Sequence, residues 1–84
     1  MAYTVYGFTL TIDLHGMTVN EAKKELQTAI NTCPKQIREI EVIHGYTKGQ
    51  ALQTFIRREF THPKIERKII GMNNGATTLI IKKI

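Results

Sequence analysis

The sequence predicts an α/β fold: a two-layer βαβαββ sandwich whose four-stranded mixed sheet carries two helices on one face. Three observations lead there. Apolar alternation of period two marks the strands, apolar stripes of helical period mark two helices, and short crossovers between the first strands force them to run parallel. Right-handed crossovers then place both helices on the same side, leaving the other face of the sheet open. At 84 residues the chain holds one core.

The elements follow in order. Residues 1–7, with Tyr3 and Tyr6, read as a short leader, so the domain is expected over 8–84. Phe8, Leu10, Ile12 and Leu14 alternate with Thr9, Thr11, Asp13 and His15, which predicts a strand over 8–15 with one buried face. Gly16 breaks the pattern. Thr18 and Glu21 form a T-x-x-E capping box, with Met17 placed to staple against Ala22. Val19, Ala22, Leu26, Ala29, Ile30 and Cys33 then share one helical face over 19–32, and Pro34 stops the helix. Ile37–Ile43 predicts the second strand. A second helix is expected over 50–61, with Leu52, Phe55, Ile56 and Phe60 inward, Arg57 and Arg58 off the stripe, and Pro63 beyond its end. His62 reads as a helix-end residue favoured by the helix dipole. The tail, 65–72 and 76–84, reads as two strands joined by Asn73-Asn74-Gly75.

Composition narrows the functional classes. The 42% apolar and 23% charged content is that of a globule. No apolar run is long enough to span a bilayer, and MAYTVYGFTLTID puts no basic residue ahead of its apolar ones, so no signal peptide is expected. The single cysteine, Cys33, excludes an internal disulfide and Cys-rich zinc modules, and its place on the helical stripe makes it a core residue. The cytoplasm is the expected compartment. Net charge is +5, but four basic residues face five acidic ones in 1–43, against eight and two in 44–84. That asymmetry suits a polyanion such as nucleic acid, or simply a solvated surface. Arg57, Arg58, Lys64, Arg67 and Lys68 are the candidate footing for it.

Two stretches echo each other: DLHGMT at Asp13–Thr18 and VIHGYT at Val42–Thr47. Each ends a strand, supplies a glycine (Gly16, Gly45) and opens a helix, on the edge where parallel βα units bind ligands. Free amides at a helix start attract phosphate. Lys48 and Gly49 add a cation and a flexible cradle, and Tyr46 is placed to stack on a base or to cover the loop. If the first two strands are neighbours, His15 and His44 are expected to face the same patch, with Asp13 on the side of His15. A carboxylate can orient an imidazole and favour its cationic form. On RNA such a histidine could take the 2′-hydroxyl proton or serve the leaving oxygen without a metal. On DNA a water or divalent metal would have to be recruited. Asp13, His15 and His44 also form a weak three-ligand metal set. Spacing alone leaves ordinary turn and cap chemistry open as well.

These motifs resemble those of the Smr (small MutS-related) domain. Thr11–Gly16 reads T-I-D-L-H-G beside that family's L-D-L-H-G, followed by a T-x-x-E-A helix opening at Thr18–Ala22. Val42–Gly45 stands at the place of its H-G-x-G-x-G loop, and Asn73–Thr77 is similar to its Gly-rich turn before the last strand. The resemblance spans about residues 9–83. It implies the fold just described, like that of the C-terminal domain of the third bacterial translation initiation factor. It also implies nucleic-acid binding, in many members endonuclease activity on DNA or RNA, and action on stalled ribosomes. Asp13, His15 and His44 would carry catalysis. Gly16, Gly45, Tyr46, Thr47, Lys48, Gly49, Arg57, Arg58, Arg67 and Lys68 would hold nucleic acid, with no resident metal, and the chain is expected to be monomeric. Thr47 replaces the middle glycine of the family loop and resists the positive φ that glycine allows, so that loop is expected to be reshaped. The rival readings are a non-catalytic nucleic-acid- or ribosome-binding module and a protein-interaction domain using the open sheet face.

Overall fold

The computed structural model describes residues 3–45, 50–71 and 74–82. Its elements are β1 (Tyr3–Tyr6), β2 (Thr9–Asp13), α1 (Val19–Thr32), β3 (Glu39–Ile43), α2 (Gln50–Thr54, continued by a π-helical turn over Phe55–Glu59), β4 (Ile65–Ile69) and β5 (Ala76–Ile81). The sheet order is β1-β2-β3-β5-β4. β2 and β3 are parallel, and every other pair is antiparallel. No helix among the described residues is long and apolar enough to cross a membrane.

The βαβαββ sandwich is therefore present, with one strand more than expected. The stretch read as a leader contains β1, which pairs with β2 from Tyr6↔Thr9 to Tyr3↔Ile12. Four residues are too few for alternation to reveal a strand, but the turn chemistry is explicit. Gly7, at φ +62, is the first of two loop residues, the position where a type II′ hairpin turn needs glycine.

Alternation sorts the sheet into two faces. Leu10, Ile12 and Leu14 of the first parallel strand region and Ile40 and Val42 of β3 are fully buried beneath the helices. Thr9, Thr11, Asp13, Glu39, Glu41 and Ile43 point to the helix-free face and are half-buried. Helix α1 begins as its capping box requires: Glu21 N donates to Thr18 Oγ1 at 3.2 Å, and Thr18 N to Glu21 Oε1 at 2.9 Å. Ala22, Leu26, Ala29 and Ile30 form its buried stripe. Cys33, half-buried against the core, is held extended (φ −65, ψ 146) because the ring of Pro34 disfavours helical geometry before it.

The second helix is shorter than expected and changes pitch. Phe60 N donates to Phe55 O at 2.7 Å, closing a five-residue turn, and brings the two rings to 5.8 Å between centroids. Leu52, Phe55, Ile56 and Phe60 are all buried, as the stripe required. His62 is not a charged helix cap. Its Nδ1 accepts from Lys64 N at 3.0 Å, which leaves the hydrogen on Nε2 to donate to Asn31 Oδ1 at 2.9 Å. Burial pushes its pKa down, and the Lys64 charge adds to that.

Candidate active site

Both His-Gly frames lie on one edge of the sheet, and both glycines are left-handed, at φ +83 for Gly16 and +73 for Gly45. The frames touch. A methyl group at Gly45 would stand 3.5 Å from His15 Cβ, and Leu14 N donates to Ile43 O at 2.7 Å. What the structure does not do is place the two histidines on one patch.

The reason is register. Thr9 pairs with Glu39 and Asp13 with Ile43, an offset of 30 residues, whereas the echoed histidines are 29 apart. Continued past the strand ends, the register sets His15 beside Gly45 and His44 beside Leu14. A shift of one residue along a strand turns a side chain to the opposite face. His15 thus continues the open-face row of Thr9, Thr11 and Asp13, while His44 continues the buried row of Ile40 and Val42.

On the open side, Asp13 Oδ1 accepts twice from the same residue: from His15 N at 3.1 Å and from His15 Nδ1 at 2.5 Å. The imidazole's hydrogen bond holds the Asp13 carboxyl below its ordinary pKa, against a smaller opposing effect of burial. With Nδ1 committed to Asp13, Nε2 is the nitrogen turned to solvent, and the His15 side chain is 70% exposed. This pair is an oriented imidazole presented to solvent, a geometry suited to moving a proton.

His44 is fully buried. Nδ1 donates to Gly45 O at 2.7 Å, so Nε2 is the acceptor for the Thr77 hydroxyl at 3.0 Å. Thr77 Oγ1 in turn accepts from Arg57 Nε at 2.7 Å, and Arg57 Nη2 donates to Ala76 O at 3.0 Å. Burial pushes the His44 pKa down, outweighing its bond to Gly45, and the Arg57 charge lowers it further. Both ring nitrogens are committed, and the lowered pKa favours the neutral form. Gly75 O completes the latch, accepting from His44 N at 2.9 Å and Gly45 N at 3.0 Å. Arg57→Thr77→His44→Gly45 is a hydrogen-bond relay fixing the second frame to β5.

The remaining sequence candidates divide. Tyr46, Thr47, Lys48 and Gly49 lie outside the described residues. Arg57, expected off the apolar stripe, reaches this edge because the π turn widens the helix, and its guanidinium serves the relay. Lys68 Nζ donates to Phe60 O at 2.5 Å, closing the end of the second helix, and burial lowers its pKa. Arg58 is exposed. Arg67 pairs with Ile80, in the row of Glu39 and Thr9 at the other end of the sheet from Asp13. Thr77 is the residue that sequence reading missed. Its signal was the alternation in Ala76–Ile81, which turns Thr77 inward with Leu79. Asp13, His15 and His44 do not fit a metal triad, since both His44 nitrogens are taken. No group of three or more His, Cys, Asp or Glu side chains among the described residues is placed to hold a metal ion.

Comparison with known proteins adds a family to this geometry. The Smr domain model matches residues 12–77, a span holding the Asp13–His15 pair, both glycines, Arg57 and Thr77. The chain belongs to the Smr domain family. The crystal structure of the Smr domain of Thermus thermophilus MutS2 is similar, at 25% identity and a TM-score of 0.73, over 86% of this chain and 96% of that one. No curated protein matches significantly. In this Smr domain the three family-like motifs meet at one edge: the Asp13–Gly16 loop touches Gly45, and the Gly75–Thr77 segment latches His44.

Proposed function

We propose that this Smr domain is a nucleic-acid endonuclease that cleaves phosphodiester bonds with the Asp13–His15 pair. The observation that carries the reading is the 2.5 Å bond from His15 Nδ1 to Asp13 Oδ1, which frees Nε2 on an exposed ring. On RNA, Nε2 takes the proton of a 2′-hydroxyl. The 2′-oxygen attacks phosphorus, the 5′-oxygen leaves and picks up a proton, and the product ends in a 2′,3′-cyclic phosphate. The imidazolium formed is stabilised by the Asp13 carboxylate. This route needs no metal ion. On DNA, which lacks the 2′-hydroxyl, an added water and divalent cation are required.

His44 acts here as a positioning residue, through the relay that keeps Gly45 against His15. Tyr46, Thr47, Lys48 and Gly49 follow Gly45 in the sequence and are assigned to phosphate contact. A second reading, a nucleic-acid- or ribosome-binding module that does not cut, is favoured by one observation. With His44 internal, the edge offers one imidazole where cleavage commonly uses separate proton-accepting and proton-donating groups.

Labelled RNA and plasmid DNA incubated with the purified chain, with and without chelator, test the proposal beside His15→Ala and Asp13→Asn. RNA cleavage that resists chelator, ends in cyclic phosphate and disappears in both variants is the expected result. Binding without cutting in every condition leaves the second reading standing.

A further inference from the structure

The candidate site uses one end of the sheet. At the other end, backbone hydrogen bonds knit four chain segments together: Arg38 N donates to Phe8 O at 2.8 Å, Ile81 N to Arg38 O at 2.9 Å, and Lys82 N to Lys64 O at 2.8 Å. This gathers cations that the sequence keeps far apart. Lys35, Arg38, Lys64 and Lys82 line one open groove of about 990 Å³, and among the described residues no carboxylate side chain lines it. Among the described residues none of the four is paired with an acid, the ion pair found being Asp13–His15. The Arg38 guanidinium lies 5.2 Å from the ring centroid of Phe8, a residue 59% exposed.

Four cations sharing a groove repel one another, and a ligand carrying regularly spaced negative charge relieves that repulsion. A polyphosphate backbone fits this requirement. The Phe8–Arg38 platform decides between a nucleic acid and an acidic peptide, because an exposed ring with a guanidinium over it offers bases a stacking surface. A neighbouring depression that shares Arg38 and Lys82 with the groove is mixed in charge, setting Arg67 beside the carboxylates of Glu39 and Glu66, so the basic groove itself ends there.

We propose that this groove is a second nucleic-acid contact, binding the sugar–phosphate backbone of a strand at the opposite end of the sheet from Asp13–His15. It rests on the nucleic-acid part of the function proposed above and is independent of cutting. The five-residue strands β2 and β3 separate the two contacts by about 17 Å, so a ligand must be long enough to span them before both contribute.

The test is fluorescence anisotropy with a labelled single-stranded RNA long enough to span the sheet, titrated over a salt series. The proteins are the parent chain, the triple variant Lys35→Glu/Lys64→Glu/Lys82→Glu, its Lys→Gln counterpart, and the control Lys23→Gln/Lys24→Gln. The Gln variant removes charge without adding any, and thermal melting reports whether each variant is folded. The expected result is a loss of affinity of about 100-fold in the Glu triple at low salt, and a salt slope shallower by about 2 in the Gln triple. Lys23→Gln/Lys24→Gln, which removes charge from the exposed face of α1 outside the groove, binds like the parent. Triple variants that bind as tightly as the parent with an unchanged slope overturn the groove while leaving the domain a nucleic-acid binder. A parent that binds neither RNA nor DNA at low salt overturns both readings. Displacement of RNA by polyglutamate at matched charge, as effective as by unlabelled RNA, overturns the nucleic-acid assignment in favour of an acidic protein.

Discussion

His15 and His44 occupy the same place in the echoed frames Asp13–Thr18 and Val42–Thr47, yet one stands 70% exposed on a carboxylate and the other is buried in a relay. The sheet register pairs residues 30 apart, whereas the frames repeat at 29. That single residue turns one histidine to the open face and the other into the core. The lesson is that a repeated motif on neighbouring parallel strands is equivalent in space only when its repeat length equals the register. Here the mismatch divides the work: the first frame presents chemistry and the second supplies support.

This division can be broken by substitution. The largest effect is expected at His15. His15→Ala should lower RNA cleavage by about 10²–10⁴-fold, the usual range for an acid–base group, while the urea midpoint falls far less than in His44→Ala. His44→Ala should do the reverse in kind. It opens a cavity and strands the Thr77 hydroxyl and Gly45 carbonyl, costing about 3 kcal/mol of stability by urea unfolding. A His44→Ala protein as stable as the parent would remove the supporting role. Thr77→Val keeps the shape but deprives His44 Nε2 and Arg57 Nε of their shared partner, an expected loss of about 2 kcal/mol. Smaller still, Gly16→Ala and Gly45→Ala should each cost about 1 kcal/mol, because both positions have positive φ. Only the Gly45 methyl meets His15, so only that variant should also alter kcat.

The comparison extends to pH. His44 has a lowered pKa in the fold, so the unfolded chain takes up its proton first. Its contribution to stability is complete above the ordinary value of 6.5 and declines as pH falls below it toward the lowered value. His62 adds to the same decline, and Asp13, lowered from 3.8, to a second one in stronger acid. The urea midpoint followed from neutral pH downward should fall in the parent and fall less steeply in His44→Gln.

Much of this was legible in the residues. Alternation, the Thr18–Glu21 cap and Pro34 defined β2, α1 and the parallel pair, and the His-Gly edge followed from the order of elements. The split between the histidines was legible too, since Ile40, Val42 and His44 share one parity while Thr9, Thr11, Asp13 and His15 share the other. The echoed motif drew attention away from it. Strand β1 was hidden by its four-residue length, although Gly7 announced the turn. The Arg57–Thr77 contact was out of reach, because it joins residues 20 apart through a π turn that no helical period anticipates. Charge misled in a different way. Counting by halves pointed to residues 44–84, but the basic groove draws Lys35 and Arg38 from the first half and Lys64 and Lys82 from the second. Only the fold brings them together.

The central claim is that His44 is an internal, neutral, positioning histidine, unlike His15. Long-range ¹H–¹⁵N NMR of the imidazole rings, recorded from neutral pH downward, tests it most directly. The account predicts a His44 ring protonated at Nδ1 and bare at Nε2 that is still neutral at pH 6.5 and takes up its proton only below that value. A His44 ring that becomes cationic at or above that value, with the chain still folded, would contradict it.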